Sequence, residues 1–321
     1  MTKKAPRVPD HIILDVRETL KEAVTACNAS AICLSGGLDS TIAAYHAKEM
    51  SPHGTAVIAK EHVATDLAYC QIASSRLNLP LKIIWASSEE ILDAIETVIR
   101  ILGNFNDIEI RNAVVIYIAI KFLKDAGIDK VITGDGADEL FAGYDFLVKK
   151  SGPELESELD RMRRIMHFPS QKIGDALGVS VVSPYLDKKV IEMSKQTSGL
   201  AVGKRDSTPV GKWVLRVSHD GLIPDSIVWR TKSSMQDGAG TASMSRILNA
   251  VIPDQLFAER RARIQSEDGV MLRTKESLHY YDVFRQHFLA PHGETDHVCP
   301  QCRFDVEQDS KFCRMCGAFP I

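Results

Sequence analysis

No stretch of this chain is apolar for long enough to cross a bilayer. The longest, Ala113–Ile120, is flanked by Arg111 and Lys121, whereas a spanning helix needs ~20 apolar residues; it reads as a buried helix. Met1–Asp10 is polar and carries two prolines, so no secretory leader is expected. Internal repeats and low-complexity segments are absent. Neither sign of charge dominates: 39 basic residues stand against 42 acidic ones, a net charge of −3, which gives no general attraction to nucleic acid. Outside the C-terminal tail cysteine is scarce. Cys27, Cys33 and Cys70 lie scattered in apolar surroundings, the pattern of buried thiols rather than disulfides, and a reducing cytoplasm is the expected compartment. No Gly-Lys-Ser/Thr follows a glycine and four variable residues, so the γ-phosphate chemistry of a Walker A loop is not favoured. What remains is 321 residues, 45% hydrophobic, enough for one large or two ordinary domains with a sizeable core.

Two short segments carry most of the positive information. Ser35-Gly36-Gly37-Leu38-Asp39-Ser40 lies between the apolar run Ala31–Leu34 and a helix-like stretch from Thr41. Gly134-Asp135-Gly136-Ala137-Asp138-Glu139-Leu140-Phe141-Ala142-Gly143-Tyr144 follows Val131 and Ile132. Each reads as a strand entering a glycine-rich loop with an acidic residue near a helix start. Gly36 and Gly37 let the backbone approach an anion closely. The N–H groups opening the next helix point at that anion, and Ser35 and Ser40 add hydroxyls. Asp39 beside a phosphate makes sense when Mg²⁺ lies between them, since magnesium takes one or two carboxylates plus phosphate oxygens; Asp138 offers the second carboxylate. The plainer reading is a pair of βα turns whose Ser and Asp residues cap helices.

Here the sequence resembles a known family. Ser35–Ser40 is similar to the PP-loop of ATP pyrophosphatases, and Gly134–Tyr144 to the second signature of asparagine synthetases and β-lactam synthetases. Ser183-Pro184-Tyr185-Leu186-Asp187, Gly211-Lys212-Trp213-Val214-Leu215-Arg216 and Trp229-Arg230-Thr231-Lys232, leading to Asp237-Gly238-Ala239-Gly240, follow in the family's order. The resemblance covers about residues 12–245. It implies an ATP-dependent, AMP-forming amide ligase that adenylates a carboxylate, aspartate or a related acid, for attack by ammonia or an amine. Ser35, Gly36, Gly37, Asp39, Ser40, Gly134 and Gly136 would hold the nucleotide, with Leu34, Val57 and Ile58 framing adenine. Asp39 and Asp138 would bind Mg²⁺, and Asp135 would assist proton removal from the attacking nitrogen. Lys232 would stabilise charge on the phosphates, with Lys212 a second cation near pyrophosphate. Glu139 reads as support for a helix start. Two departures stand out. Relatives carry Gly-Val-Glu-x-Arg before the Pro-Phe-Leu-Asp motif, whereas Gly178-Val179 is followed here by Ser180, Val181 and Val182, which weakens aspartate as the acceptor. The start Met1-Thr2-Lys3-Lys4 has no nucleophilic cysteine, so no glutaminase is expected, and nitrogen would come as ammonia, from a separate subunit, or as an amine.

Cys299-Pro300-Gln301-Cys302 and Cys313-Arg314-Met315-Cys316 form two CxxC knuckles separated by ten residues, a spacing that suits structural tetrahedral zinc. A tail this short needs the metal to fold, and Gly317 suits a tight turn. His297 is a spare ligand that four thiolates do not need. Arg303, Lys311 and Arg314 mix with Glu294, Asp296, Asp305, Glu307 and Asp309, which makes no basic stripe for nucleic acid; protein contact or bracing is the expected role. The division expected is 1–290 for the nucleotide-binding unit and 291–321 for the ribbon.

Alternation predicts the fold: a helix over 11–28, strand Ala31–Leu34, a helix to about Met50, strand Thr55–Ala59, helix Asp66–Leu77, strand Leu81–Trp85, helix Glu89–Leu102, helix Ala113–Ala126 and strand Lys130–Thr133. This is an α/β, doubly wound parallel sheet. After Tyr144 the pattern turns mainly helical, with a charged helix from Ser151-Gly152-Pro153, further helices over Val190–Lys195, Val210–Ser218 and Met244–Phe257, and loops over Gly203–Pro209 and Thr231–Thr241. The last is a candidate mobile flap. Two rival functions remain open: a PP-loop enzyme modifying tRNA with the ribbon as RNA clamp, and a non-catalytic regulator.

Overall fold

The structure, a computed structural model, describes residues 6–308 and 310–321. The Met1–Lys4 start and Asp309 of the tail lie outside the described residues. The first half alternates: α1 (Asp10–Cys27), β1 (Ala31–Cys33), α2 (Leu38–Ala47), β2 (His53–Ala59), α3 (Asp66–Leu77), β3 (Leu81–Ala86), α4 (Ser88–Leu102), α5 (Asp107–Asp125) and β4 (Lys130–Ile132). Local chemistry sets the boundaries. Ser87 and Glu90 form a capping box at the start of α4, and Gly103 ends it in the left-handed region at φ 69°. Between them Ile91, Ala94, Ile95, Val98, Ile99 and Leu102 are buried, spaced along one face. Asn106 caps α5 by accepting from Glu109 N.

Beyond β4 come α6 (Ala137–Leu140), α7 (Asp145–Val148), α8 (Gly152–Ile165), α9 (Pro169–Leu177), β5 (Ser180–Val182) and α10 (Lys188–Gln196). The chain then makes β6 (Val202–Arg205), β7 (Thr208–Gly211), α11 (Trp213–His219), α12 (Asp225–Val228), α13 (Met235–Ala239), α14 (Met244–Val251), α15 (Asp254–Glu267) and α16 (Lys275–His287). The main sheet has order β3-β2-β1-β4-β5 and is parallel throughout. The connection reverses direction between β1 and β4. That switch point opens a crevice beyond the strands' C-terminal ends, where ligands of doubly wound sheets bind, and both glycine-rich loops leave from those two strands.

Two apolar clusters flank the sheet. One gathers α1, α2 and α11 around Leu20, Ile42 and Leu215. The other gathers α4, α5, α9 and α16 around Ile95, Ile110 and Tyr281, and it takes in the four tail cysteines. Among the described residues no helix is long and apolar enough to cross a membrane.

Several elements depart from the sequence reading. Gly203–Pro209, expected as loop, lies mostly in the antiparallel β6–β7 hairpin, whose pairing of Val202 with Gly211 and Gly203 with Val210 also delays the expected 210–218 helix to Trp213. The expected Met244–Phe257 helix breaks at Ile252-Pro253, because Pro253 cannot donate to the preceding turn. α5 starts at Asp107 rather than Ala113, because its cap, Asn106, lies seven residues before the apolar run. The loop 231–241 contains the short α13. β5, α9 and α16 were not anticipated; β5 is a three-residue edge strand.

Candidate active site

The first loop is pressed onto the backbone of α3. Gly36 has φ +69°, and a Cβ there would stand 2.3 Å from Cys70 N, so this position admits only glycine. Gly37 N donates to Ser35 Oγ at 3.2 Å, and Ser35 Oγ lies 3.1 Å from Ser40 Oγ. No side chain caps the start of α2, which leaves its first N–H groups directed at the crevice. The second loop touches the first. A Cβ on Gly134 would lie 3.2 Å from Asp39 Cβ, and Tyr185 OH donates to Asp39 O at 3.0 Å.

Between the loops sit two carboxylates and two lysines. Lys212 Nζ stands 2.5 Å from Asp39 Oδ2 and 2.8 Å from Asp138 Oδ1, and Lys232 Nζ stands 2.6 Å from Asp138 Oδ2. The Lys212 side chain is only 6% exposed. Its backbone is left-handed, φ 55°, with its N–H on Phe141 O at 2.8 Å, a conformation that costs a lysine about 1–2 kcal/mol. Gly143 makes room for the cluster, since a Cβ there would fall 1.9 Å from Asp138 Oδ1. Burial pushes the Asp39 carboxyl up, against the pull of Lys212. Burial would do the same to Asp138, but Lys212 and Lys232 together outweigh it and hold that carboxyl well below the usual range. Burial likewise pulls the Lys212 ammonium down, and the two carboxylates more than reverse it.

Asp39 Oδ1 and Asp138 Oδ1 are buried and, among the described residues, have no hydrogen-bond partner; Lys212 Nζ is within ion-pair reach of the latter but off hydrogen-bond direction. Two buried carboxylate oxygens from facing loops, Asp39 Oδ1 without a partner and Asp138 Oδ1 held only by the Lys212 ion pair, fit the donor set of a magnesium ion.

Asp135 is tethered through one carboxylate oxygen. Its Oδ2 accepts from Thr133 Oγ1 at 2.8 Å and Ser170 Oγ at 2.6 Å, and its carbonyl accepts from Ser183 Oγ at 2.6 Å. Burial raises its pKa, opposed by those hydroxyls. Glu139 faces inward, accepts from Tyr144 OH, and is raised by burial; the Tyr144 ring also lies 4.8 Å from Lys232 Nζ. Leu34, Val57 and Ile58 are all buried. Val57 belongs to the cluster under α4 and α5 and Leu34 to the opposite one, so these two side chains do not face each other across one pocket.

Sequence reasoning missed the residues that hold the lysines. Arg230 places its guanidinium 3.8 Å from the Tyr69 ring centre, pairs with Asp66 at 2.6 Å and reaches Gly36 O at 3.4 Å. Arg216 donates to Gly211 O at 2.9 Å, to Arg230 O at 3.2 Å and to Val228 O, binding the segments that carry Lys212 and Lys232. Both arginines stood inside the quoted motifs; their partners Tyr69 and Asp66 gave no signal.

In the tail, Cys299, Cys302, Cys313 and Cys316 are buried with all sulfurs within 4.8 Å of one another. Cys299 Sγ to Cys316 Sγ is 3.7 Å and Cys302 Sγ to Cys313 Sγ is 3.6 Å. Zinc bonds of ~2.3 Å in a tetrahedron give sulfur separations of ~3.8 Å, so the four thiolates fit zinc. The two knuckles match: Arg303 N donates to Cys299 O at 2.9 Å and Gly317 N to Cys313 O at 2.8 Å, with Arg303 at φ 63° and Gly317 at φ 73°. His297 is outside the sulfur set. Cys27, Cys33 and Cys70 are free thiols pushed up by burial to about 11, 12 and 11.

A parallel sheet whose switch point presents a glycine-rich anion loop, paired acidic residues, a buried lysine and a second, solvent-exposed one defines a nucleotide-binding α/β protein of PP-loop type. The asparagine synthase family model matches residues 15–166 and 154–304, and the chain belongs to that family. It is 25% identical over 307 residues to asparagine synthetase B (glutamine-hydrolyzing) of Escherichia coli K12, covering 86% of this chain and 54% of that protein. It is 29% identical over 275 residues to the Gallus gallus asparagine synthetase (glutamine-hydrolyzing), 79% of this chain and 48% of the relative. A Lotus japonicus asparagine synthetase (glutamine-hydrolyzing) is 31% identical over 159 residues, 46% and 27% of the two chains. The chain thus spans about half the length of the first of these relatives.

Proposed function

We propose that this protein is an ATP-dependent, AMP-forming carbon–nitrogen ligase. The observation that carries the reading is the meeting of Asp39 and Asp138, from two separate loops, around Lys212 and Lys232. A carboxylate oxygen of the acid attacks the α-phosphorus, the bond from that phosphorus to the bridging oxygen breaks, and pyrophosphate leaves. Ammonia or an amine then attacks the acyl carbon, AMP departs, and the surplus proton passes to a base.

Ser35, Gly36, Gly37 and Ser40 bind the phosphate chain through N–H and hydroxyl donors, with Gly134 and Gly136 shaping the facing loop. Asp39 and Asp138 would hold Mg²⁺, which when bound would neutralise phosphate charge. Lys232 stabilises the charge that builds on the departing pyrophosphate, and Lys212 supports it. Asp135, with its burial-raised pKa, takes the proton. Main-chain edges at Leu34, Val57 and Ile58 serve adenine. The acceptor is aspartate or a related acid; the short side chains of Ser180, Val181 and Val182 favour an acid not gripped by an arginine from β5. The nitrogen donor is ammonia, an amine, or a glutaminase carried on a separate subunit, and we place the enzyme in the cytoplasm.

We divide the chain into 1–290, the synthetase unit, and 291–321, a metal-built tail packed against it. The RNA-clamp alternative gains no support from that packing, because the cysteine face is spent on the interior.

The test is a panel of carboxylic acids offered with ATP and Mg²⁺, scored for acid-dependent pyrophosphate release and, by mass, for amide formed with ammonia or glutamine. One acid should stimulate release well above the rest. No stimulation by any acid, with the nucleotide demonstrably bound, would defeat the proposal.

A further inference from the structure

The tail is docked against the first turn of α5. Phe105 N donates to Met315 O at 2.9 Å, Arg273 Nη2 donates to Cys316 O at 3.2 Å, and Met271 N donates to Gln301 O at 2.7 Å. A Cβ on Gly317 would stand 2.7 Å from Oδ1 of Asn106, the buried residue that caps α5. The α5 backbone therefore starts where the second zinc knuckle sets it.

Two turns further along, the same helix holds the segment that follows Lys232. Asn112 Oδ1 accepts from Gln236 N at 2.9 Å, and Arg111 O accepts from Thr241 Oγ1 at 3.0 Å. Asn106 and Asn112 are six residues apart, about 9 Å along the helix. Gly238 is packed so closely on Asp66 that a Cβ would fall 2.1 Å from its carboxylate, and Asp66 grips Arg230, two residues before Lys232. Thr231–Thr241 is thus fastened at one end to the crevice and at the other to α5, with few apolar anchors of its own.

We propose that the four-cysteine tail is a positioning clamp for the active-site segment: zinc sets the knuckle, the knuckle sets the start of α5, and Asn112 and Arg111 set residues 231–241. The link is a continuous series of hydrogen bonds and close contacts. It gives the metal a part in catalysis without any contact with substrate. The catalytic consequence rests on the role proposed above for Lys232; the structural link does not.

Hydrogen exchange reads the link without substrate. In Cys302→Ser, which removes a zinc ligand, amides of 234–241 should exchange about tenfold faster or more, as expected when a local unit loses its restraint, while β2 and β1 amides keep their protection. Gly317→Ala, with zinc content verified at one per chain, should do the same by pushing on Asn106. Acid-dependent pyrophosphate release should fall about tenfold at saturating ATP in both, with KM for ATP changed less than about threefold, a split that marks lost positioning rather than lost binding. Native exchange at 234–241 in both variants would overturn the clamp. So would faster exchange in Cys302→Ser spread over the whole sheet together with native exchange in zinc-loaded Gly317→Ala. Loss of the restraint without any acid-dependent release even in the parent protein would leave the clamp standing and sink the ligase reading instead.

Discussion

The crevice and the tail each crowd anionic ligands into a buried space, and they solve the resulting repulsion in opposite ways. In the crevice two carboxylates meet two ammonium groups, Lys212 and Lys232, so the side chains alone are neutral. In the tail four thiols converge with no cation in the set, and only a metal can compensate them once they ionise. The crevice is built to persist empty; the tail presents a donor set that fits a metal ion. A divalent ion arriving alone would give the crevice two uncompensated positive charges, whereas one arriving with a nucleotide brings its own anion. Metal should therefore bind the crevice with ATP rather than ahead of it.

Changes at the crevice should show that its carboxylates serve ligands. Asp39→Ala should lower pyrophosphate release by ~10³-fold or more, the scale of losing a metal's charge stabilisation, with native circular dichroism at a temperature below its own, lowered, melting point; unchanged release would remove Asp39 from the mechanism. Lys232→Ala should reduce turnover by ~10²–10³-fold with ATP affinity little altered, and a pure loss of ATP binding would reassign it. Lys212→Met strikes at the neutrality itself. A buried carboxylate left without its partner destabilises the fold by about 3–5 kcal/mol, and Mn²⁺ should then bind, and relieve that loss, without nucleotide. If the parent protein already binds Mn²⁺ alone as tightly as with ATP, the contrast drawn above fails.

The smallest effect concerns a histidine pair behind the crevice. His46 on α2 and His219 on α11 lie Nε2 to Nε2 at 2.9 Å, and His219 Nδ1 donates to Leu215 O at 2.8 Å. Burial lowers His219 to about 4, and burial, then His219, Lys21, Arg17 and Lys48 lower His46 to about 3. Both rings are neutral in the fold, so below about pH 6.5 the unfolded chain binds more protons than the folded one and stability drops with pH. His219→Gln should flatten denaturation midpoints between pH 6.5 and 4 relative to the parent. A slope equal to the parent's would remove the pair from the acid response.

The tail's four cysteines lie within eighteen residues, and their spacing alone points to a metal site. The crevice is assembled from four distant segments, so Asp39, Asp138, Lys212 and Lys232 were legible only through the family's motifs. The parallel sheet was legible too, because strands and helices alternate with clear caps and glycines. The β6–β7 hairpin was not, since Gly203–Pro209 has the composition of a loop and gains its pairing only in the folded chain. Neither were Tyr69 and Asp66 as partners of Arg230, or Ser170 on Asp135. These contacts span 35 to 164 residues of sequence and leave no local pattern. The side chains of Leu34 and Val57 join opposite clusters, which the alternation of side chains along neighbouring strands does not reveal without register.

The most direct measurement is the identity of the nucleotide released when the protein turns over ATP with Mg²⁺ and its stimulating acid, followed by ³¹P NMR. The account predicts AMP and pyrophosphate in equal amounts, both lost in Asp39→Ala. ADP and inorganic phosphate as the products would contradict it.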